Sequence, residues 1–469
     1  MIILLLLINV IVSLYVIRIK ARNPATSWAW LFFMIAIPYF GLLVYFLIGQ
    51  DSKKMKIFKE KSLNDKKLSE TFYTKYPSNI DYFPFDDITK NFLTLNQNNT
   101  QNIITHNNEL FTYLDGSEKF KELMLTIDSA KTYIHMEYYI LRDDKLGNFM
   151  LNKLIQKAKE GVEIKLLVDA LGTFHKRPLF FEPLRQAGCE VAVFGPLHGT
   201  RFNYRNHRKL SIIDGKYGFI GGFNIGDEYI YSKKLGTWRD THIKIYGDAV
   251  KNLELQFMMD WNFCSINKLK IEDKYFPNII VENGIPIQIL SSGPDTQVST
   301  IQHSFLYMIS KAKKYIYITT PYFMPDENIL TALKIASLSG VEVKILIPSI
   351  GDHPFVLGGN LSYCSLLLQC KAKCYMYKPS SGTSFIHSKQ IIVDDLYINL
   401  GSTNFDYRSL HLNFEINALL IDYTLAIIFK KQFMEDLKSS EEITNAYFEN
   451  LSTIDNLKHT FAKLISPLL

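Results

Sequence analysis

Two apolar runs dominate the first fifty residues. Residues 2–17 are apolar apart from Asn9, Ser13 and Tyr15, and residues 28–48 carry no charge. At 1.5 Å per residue, the second run spans about 31 Å as a helix, enough to cross a bilayer core. The first extends to Ile19 if Arg18 snorkels toward the headgroups. The pattern predicts a two-helix transmembrane hairpin over 1–50, with helices at about 2–19 and 28–48. A cleaved secretory leader fits less well, because the first run lacks a charged segment before it and a small-residue cleavage site after it. Lys53, Lys54, Lys56, Lys59 and Lys61 follow the second run, against Arg18, Lys20 and Arg22 in the connecting loop. That bias predicts a multi-pass protein of the cell membrane with a cytoplasmic body.

Residues 51–105 are polar, rich in Lys and Asn and weakly periodic, and read as a linker. Beyond them β-rich runs alternate with stretches of helical apolar spacing at 148–160 and 326–339, the signature of an α/β sheet with helices on its faces. The pattern occurs twice. Gly161-Val162-Glu163-Ile164-Lys165-Leu166-Leu167-Val168 matches Gly340-Val341-Glu342-Val343-Lys344-Ile345-Leu346-Ile347, and Ala130-Lys131-Thr132-Tyr133-Ile134 matches Ala312-Lys313-Lys314-Tyr315-Ile316. The period is too long for a solenoid, so the chain holds a duplicated domain. We expect a first α/β lobe over 106–270 and a second over 271–469. Residues 437–469 of the second have the spacing of a helical tail, which packs on that lobe or touches the membrane.

The duplication extends to a motif. His207-Arg208-Lys209-Leu210-Ser211-Ile212-Ile213-Asp214 returns as His387-Ser388-Lys389-Gln390-Ile391-Ile392-Val393-Asp394, both H-x-K-x-x-x-x-D. Each copy is followed at the same offset by a small-residue turn ending in Asn, Gly221-Gly222-Phe223-Asn224 and Gly401-Ser402-Thr403-Asn404. In extended chain His207 and Lys209 share a face, as do His387 and Lys389. Asp214 and Asp394 have the opposite parity, which suits orienting the site better than touching a ligand. If the halves pair, two imidazoles and two ammonium groups converge. Asn224, Asn404 and the backbone N–H groups around Gly222 and Ser402 then add neutral donors. Such a set suits a phosphodiester, whose transition state gathers charge on equatorial oxygens. One neutral imidazole can attack phosphorus and form a phosphohistidine. The other, protonated, can give its proton to the leaving alkoxide and later take one from the incoming hydroxyl. The scheme needs no metal or other cofactor, and the sequence lacks the carboxylate clusters of a two-metal site.

These motifs resemble those of the phospholipase D superfamily and, within it, of bacterial cardiolipin synthases. The likeness extends to Asn203-Tyr204-Arg205-Asn206, Trp238-Arg239-Asp240-Thr241, Thr320-Pro321-Tyr322-Phe323-Met324-Pro325-Asp326, Asn404-Phe405-Asp406-Tyr407-Arg408-Ser409 and Asn413-Phe414-Glu415, roughly residues 18–436 in all. It implies two fused phospholipase D-like α/β lobes sharing one active site behind the membrane hairpin. It also implies phosphatidyl transfer between two phosphatidylglycerol molecules, giving cardiolipin and glycerol. By the same resemblance, His207 is the nucleophile and His387 the acid and base. Asp240 and Glu415 resemble the carboxylates that hydrogen-bond the histidines, a surface salt bridge being the plainer reading of each.

Charge balance adds little. With 52 basic and 46 acidic residues the net charge is +6, which suits an anionic lipid and argues against a dedicated nucleic-acid protein. Cys189, Cys264, Cys364, Cys370 and Cys374 are odd in number and lack metal-ligand spacing, so they read as reduced structural thiols. Hydrolysis to phosphatidic acid would share the covalent step, and the motifs do not describe the acceptor pocket. A nuclease fits neither the anchor nor the charge. A non-catalytic membrane scaffold would be expected to have lost motif residues, and all six are present. A route from a CDP-activated lipid would need a metal and an Asp-rich signature that the sequence lacks.

Overall fold

The computed structural model describes residues 7–8, 10–14, 24–37, 40–41, 44–45, 51–77, 84–100, 102–173, 177–195, 203–232, 235–296, 298–379, 382 and 384–466. Two nine-stranded mixed sheets form the body. In the first, the motif strand Lys209–Ile213 lies between Tyr133–Tyr138 and Tyr217–Gly221, antiparallel to both. In the second, Gln390–Val393 lies likewise between Tyr315–Thr319 and Tyr397–Gly401. Outside each motif strand comes a parallel series: 133–138, 163–169 and 190–194 in one sheet, 315–319, 342–348 and 373–377 in the other. The helices supplying these crossovers include Lys145–Lys159 and Glu327–Leu338, close to the spans read from apolar spacing. Asp144 and Asp326 cap them, accepting from Gly147 N and Ile329 N.

Period-two alternation sorts the strands into layers. Leu210 and Ile212 face a central core shared with Ile392, Ile398, Leu400, Ile416 and Ala418 of the other sheet, and with Leu253, Phe257, Phe429 and Phe433 from helices Ala249–Cys264 and Tyr423–Lys438. The opposite faces are covered separately, by Leu123, Leu151 and Leu154 on one lobe and by Ile301, Phe305 and Leu333 on the other. The central layer glues the repeats into one unit.

Two boundaries differ from expectation. Residues 51–105, expected as a polar linker, hold helices Asp51–Lys75 and Asp87–Thr100 and strand Ile104–Thr105, an edge of the second sheet. Phe58 and Phe72 anchor this polar stretch in the central core, and Phe92 and Leu93 anchor it in the core of the second lobe. Residues 437–469 are not wholly helical, because Ser440–Ile443 pairs with Lys373–Tyr377 at the far edge before helix Thr453–Ile465 begins. Near the N-terminus, helix Pro24–Ala36 is described, and Leu31, Met34 and Tyr45 form a small cluster with Val12 and Trp30. Among the described residues no helix is long and apolar enough to cross a membrane. Most of the first expected span, 2–19, lies outside the described residues; of the second, 28–48, the described part is helical to Ala36, bends at Ile37 and is helical again at 40–41 and 44–45.

Candidate active site

Each motif histidine sits just before its strand, where the chain leaves its own lobe and borders the other. Ser384–Ile386, leading into His387, pairs in parallel with Gly236–Gly247 of the first sheet, and His387 N donates to Arg239 O at 2.7 Å. Conversely, Asn206 bridges to Phe414, and His207 N donates to Phe414 O at 2.9 Å. The residue after each acceptor is a buried carboxylate, so the pairs are exchanged between lobes. His207 Nδ1 lies 2.9 Å from Glu415 Oε1, and His387 Nδ1 lies 2.7 Å from Asp240 Oδ2. An Nδ1–H donated to the carboxylate fixes the tautomer and leaves the Nε2 lone pair free to react.

The lysines complete the cluster. Lys209 Nζ donates to His207 O at 2.6 Å, and Lys389 Nζ lies 2.7 Å from His387 Nδ1. Burial lowers the pKa of His207 despite Glu415, with Lys209 and Lys389 adding to the effect. Burial and Lys389 push His387 down to about 4. Burial also takes Lys209 well below its ordinary value and Lys389 to about 8. Burial would raise Asp240 and Glu415, but their partners win, chiefly Lys389 for the first and His207, through its ring N–H, with Lys209 for the second, and hold both below the usual carboxylate range. The field of Lys389 reaches His207 and that of Asp240 reaches Lys209, so the halves act as one electrostatic unit. Without ligand this unit holds neutral imidazoles, ionised carboxylates and cations under pressure to lose charge. An incoming phosphodiester anion relieves that pressure.

The turn residues serve the carboxylates. A Cβ at Gly222 would come within 2.0 Å of Asp240 Oδ1, so glycine there lets the carboxylate pass. Ser402 Oγ donates to Glu415 Oε2. Asn224 is engaged, accepting from Ile140 N and donating to Tyr229 OH. Asn404 Oδ1 is buried without a hydrogen-bond partner. Asp214 and Asp394 are not brought to the cluster: each lies at the opposite end of its motif strand of five or four residues, about 13–16 Å long. At φ 54° each accepts three backbone N–H bonds, from Lys131, Thr132 and Tyr133 or from Lys313, Lys314 and Tyr315. They close the turn into the neighbouring strand. Trp238 packs against His387 with ring centroids 4.9 Å apart.

A further set of residues escaped the sequence. Arg208, within the first motif, is buried, donates to Glu415 O at 3.2 Å and pairs with Asp260. Lys61, buried on helix Asp51–Lys75, lies 3.2 Å from Asp260, 2.6 Å from Asp65 and 2.7 Å from Asp295. Both cations lie over the Phe414 ring, at 5.3 Å for Lys61 and 5.4 Å for Arg208. Helix 51–75 is thereby tied to the segment that holds His207. The lysine run at 53–61 signals only a solvated face, and nothing in its spacing singles out Lys61. Among the described residues no cluster of three His, Cys, Asp or Glu side chains has the arrangement of a metal site.

Two imidazoles, half-buried at His207 and buried at His387, each with a carboxylate and a lysine, at the seam of a duplicated α/β fold define a phospholipase D-like site. Residues 123–261 and 305–437 match the family model described as "Cardiolipin synthase, PLD-like domain", and residues 7–50 match "Phospholipase_D-nuclease N-terminal". The chain belongs to this cardiolipin synthase family of phospholipase D-like proteins. It is 39% identical over 478 residues to a cardiolipin synthase of Staphylococcus aureus strain N315, covering 99% of this chain and 95% of that one. It is 38% identical to that of Oceanobacillus iheyensis (98% and 97% covered) and 39% identical to that of Clostridium perfringens strain 13 (96% and 96%). Among solved structures, the phosphatidylserine synthase of Haemophilus influenzae Rd KW20 shares the fold, with a TM-score of 0.61 and 16% identity over 81% of this chain and all of that one.

Proposed function

We propose that this protein is a phosphatidyltransferase that makes cardiolipin from two molecules of phosphatidylglycerol. The observation that carries the proposal is the pair of imidazoles, each hydrogen-bonded through Nδ1 to a buried carboxylate of the other lobe and set beside a buried lysine. In the first half-reaction His207 Nε2 attacks the diester phosphorus and the P–O bond to glycerol breaks. His387, protonated once the anionic substrate is bound, gives its proton to the glycerol alkoxide. In the second, His387 takes a proton from the hydroxyl of another phosphatidylglycerol, whose oxygen attacks phosphorus and releases His207. Two phosphatidylglycerols become one cardiolipin and one glycerol. Lys209, Lys389 and the Asn404 amide bear on the equatorial oxygens. The 39% identity to cardiolipin synthases over nearly the whole chain favours transfer to a lipid hydroxyl over transfer to water.

The first fifty residues form a membrane hairpin in this reading, with the body on the cytoplasmic side. Exposed Leu7, Val10, Ile11, Leu14, Trp28, Phe32 and Ile35 supply a lipid-facing surface. Purified enzyme with phosphatidylglycerol as the sole lipid is expected to yield cardiolipin and free glycerol in equal amounts. Phosphatidic acid as the main product would replace synthase by hydrolase.

A further inference from the structure

Helix Thr453–Ile465 has two opposed faces. His459, Ala462 and Ser466 turn toward helix Val356–Leu368: Ser362 Oγ donates to His459 O at 2.9 Å, and Tyr363 OH lies 3.2 Å from Ser466 Oγ. The fit needs Gly358, where a Cβ would stand 3.0 Å from the His459 ring. On the other side Ile454, Leu457, Phe461 and Leu464, spaced 3, 4 and 3 apart, form one stripe. They are 68, 69, 48 and 75% exposed. The helix's single acidic residue, Asp455, lies off the stripe and is paired with Lys458 at 2.8 Å, so no net charge borders the stripe there.

The stripe continues into Phe355, which is 46% exposed and lies edge-on to Phe461 at 5.7 Å. Phe355 holds φ at 71°, costly for a bulky side chain and commonest where surrounding structure or function imposes it. Three residues earlier, Asp352 accepts from Tyr322 OH at 2.5 Å and bears electrostatically on both His387 and Lys389. Helix 356–368 in turn holds the strand beside Tyr322, since Asn360 bonds both Phe323 N and Pro321 O. The apolar stripe therefore stands one helix away from the segment that flanks the catalytic cluster.

We infer that helix 453–465 and Phe355 form a lipid-docking surface that seats the rim of the active site on the bilayer, independently of the N-terminal segment. The inference rests on the synthase reading only in that the substrates are bilayer lipids. An uncharged apolar stripe on an amphipathic helix, continuous with Phe355 at the rim of a site that acts on lipids, suits insertion at a bilayer surface. The occupant is the bilayer that holds the substrate, and a second copy of the chain is the competing outcome.

The test uses the full-length enzyme carrying Leu457→Glu, Phe461→Glu and Leu464→Glu together. On phosphatidylglycerol vesicles turnover is expected to fall by about tenfold or more through a higher KM in surface concentration. On dihexanoyl phosphatidylglycerol dissolved as monomers it should stay within about twofold of wild type. Equal loss on both substrates, unchanged turnover on vesicles, or a change in protomer number by light scattering in detergent would each overturn the inference. Should the triple variant fail to fold, Leu457→Trp decides. Its emission, with that of wild type subtracted, is expected to be quenched by acyl-brominated phosphatidylglycerol, and absence of quenching overturns the docking surface. A wild type inactive on both substrates defeats the synthase reading instead, and the quenching result still decides this one.

Discussion

At the scale of single residues, the site is a balance between burial and a few compensating charges. His207→Ala and His387→Ala are each expected to abolish turnover, and the double variant should be no worse, because the two act as one unit. Lys209→Ala should cost about 2–4 kcal/mol of transition-state stabilisation, seen as a lower kcat on phosphatidylglycerol. Asp214→Ala is a different experiment. It removes the acceptor of three backbone bonds, so it should lower the melting temperature with kcat of the folded fraction nearly unchanged. His387 also sets a pH dependence. Its folded value of about 4 lies below the ordinary imidazole value of 6.5, so the unfolded chain takes up the proton first as pH falls. The associated stability is present above pH 6.5 and lost toward pH 4, a change on the order of 3 kcal/mol. Melting temperature followed over that window should fall for wild type and fall less for His387→Asn.

At the scale of elements, what the sequence revealed depended on periodicity. The crossover helices and the two motif strands were legible because apolar spacing repeats within each and again between the lobes. Helix 51–75 was not. Its buried positions, Phe58, Lys61, Ser69 and Phe72, are few and partly polar, so a tertiary ion cluster rather than an apolar stripe decides how it packs. Lys61→Ala should expose this, since it leaves Asp65 and Asp295 without their ion-pair partner and Asp260 with Arg208 alone, and is expected to cost about 3–5 kcal/mol. If helix 51–75 does no more than connect, the melting temperature will not move. The strand Ser440–Ile443 was hidden for a related reason: its sequence, Ser-Glu-Glu-Ile, lacks strand propensity, and pairing with the exposed edge at 373–377 supplies what local preference does not.

At the scale of the whole molecule, the duplicated motif foretold a shared site, and the likeness of segments around Asp240 and Glu415 foretold carboxylates on the histidines. Which carboxylate serves which histidine was not readable. Each acid follows its own lobe's motif in sequence, and only the parallel pairing of 384–386 with 236–247 and the bridge between Asn206 and Phe414 reveal the exchange. Glu415→Gln should therefore impair the chemistry assigned to His207 of the other lobe. Its effect combined with His207→Ala should be far from additive, as a double-mutant cycle on kcat would measure.

This exchange makes competence conditional on assembly. A nascent first half, folded alone during synthesis, holds an imidazole whose proton position nothing fixes, and the same is true of the second half until the two close. Parting the seam by an ångström or two would disarm both nitrogens together. Reactive phosphohistidine chemistry is thus confined to the finished protein.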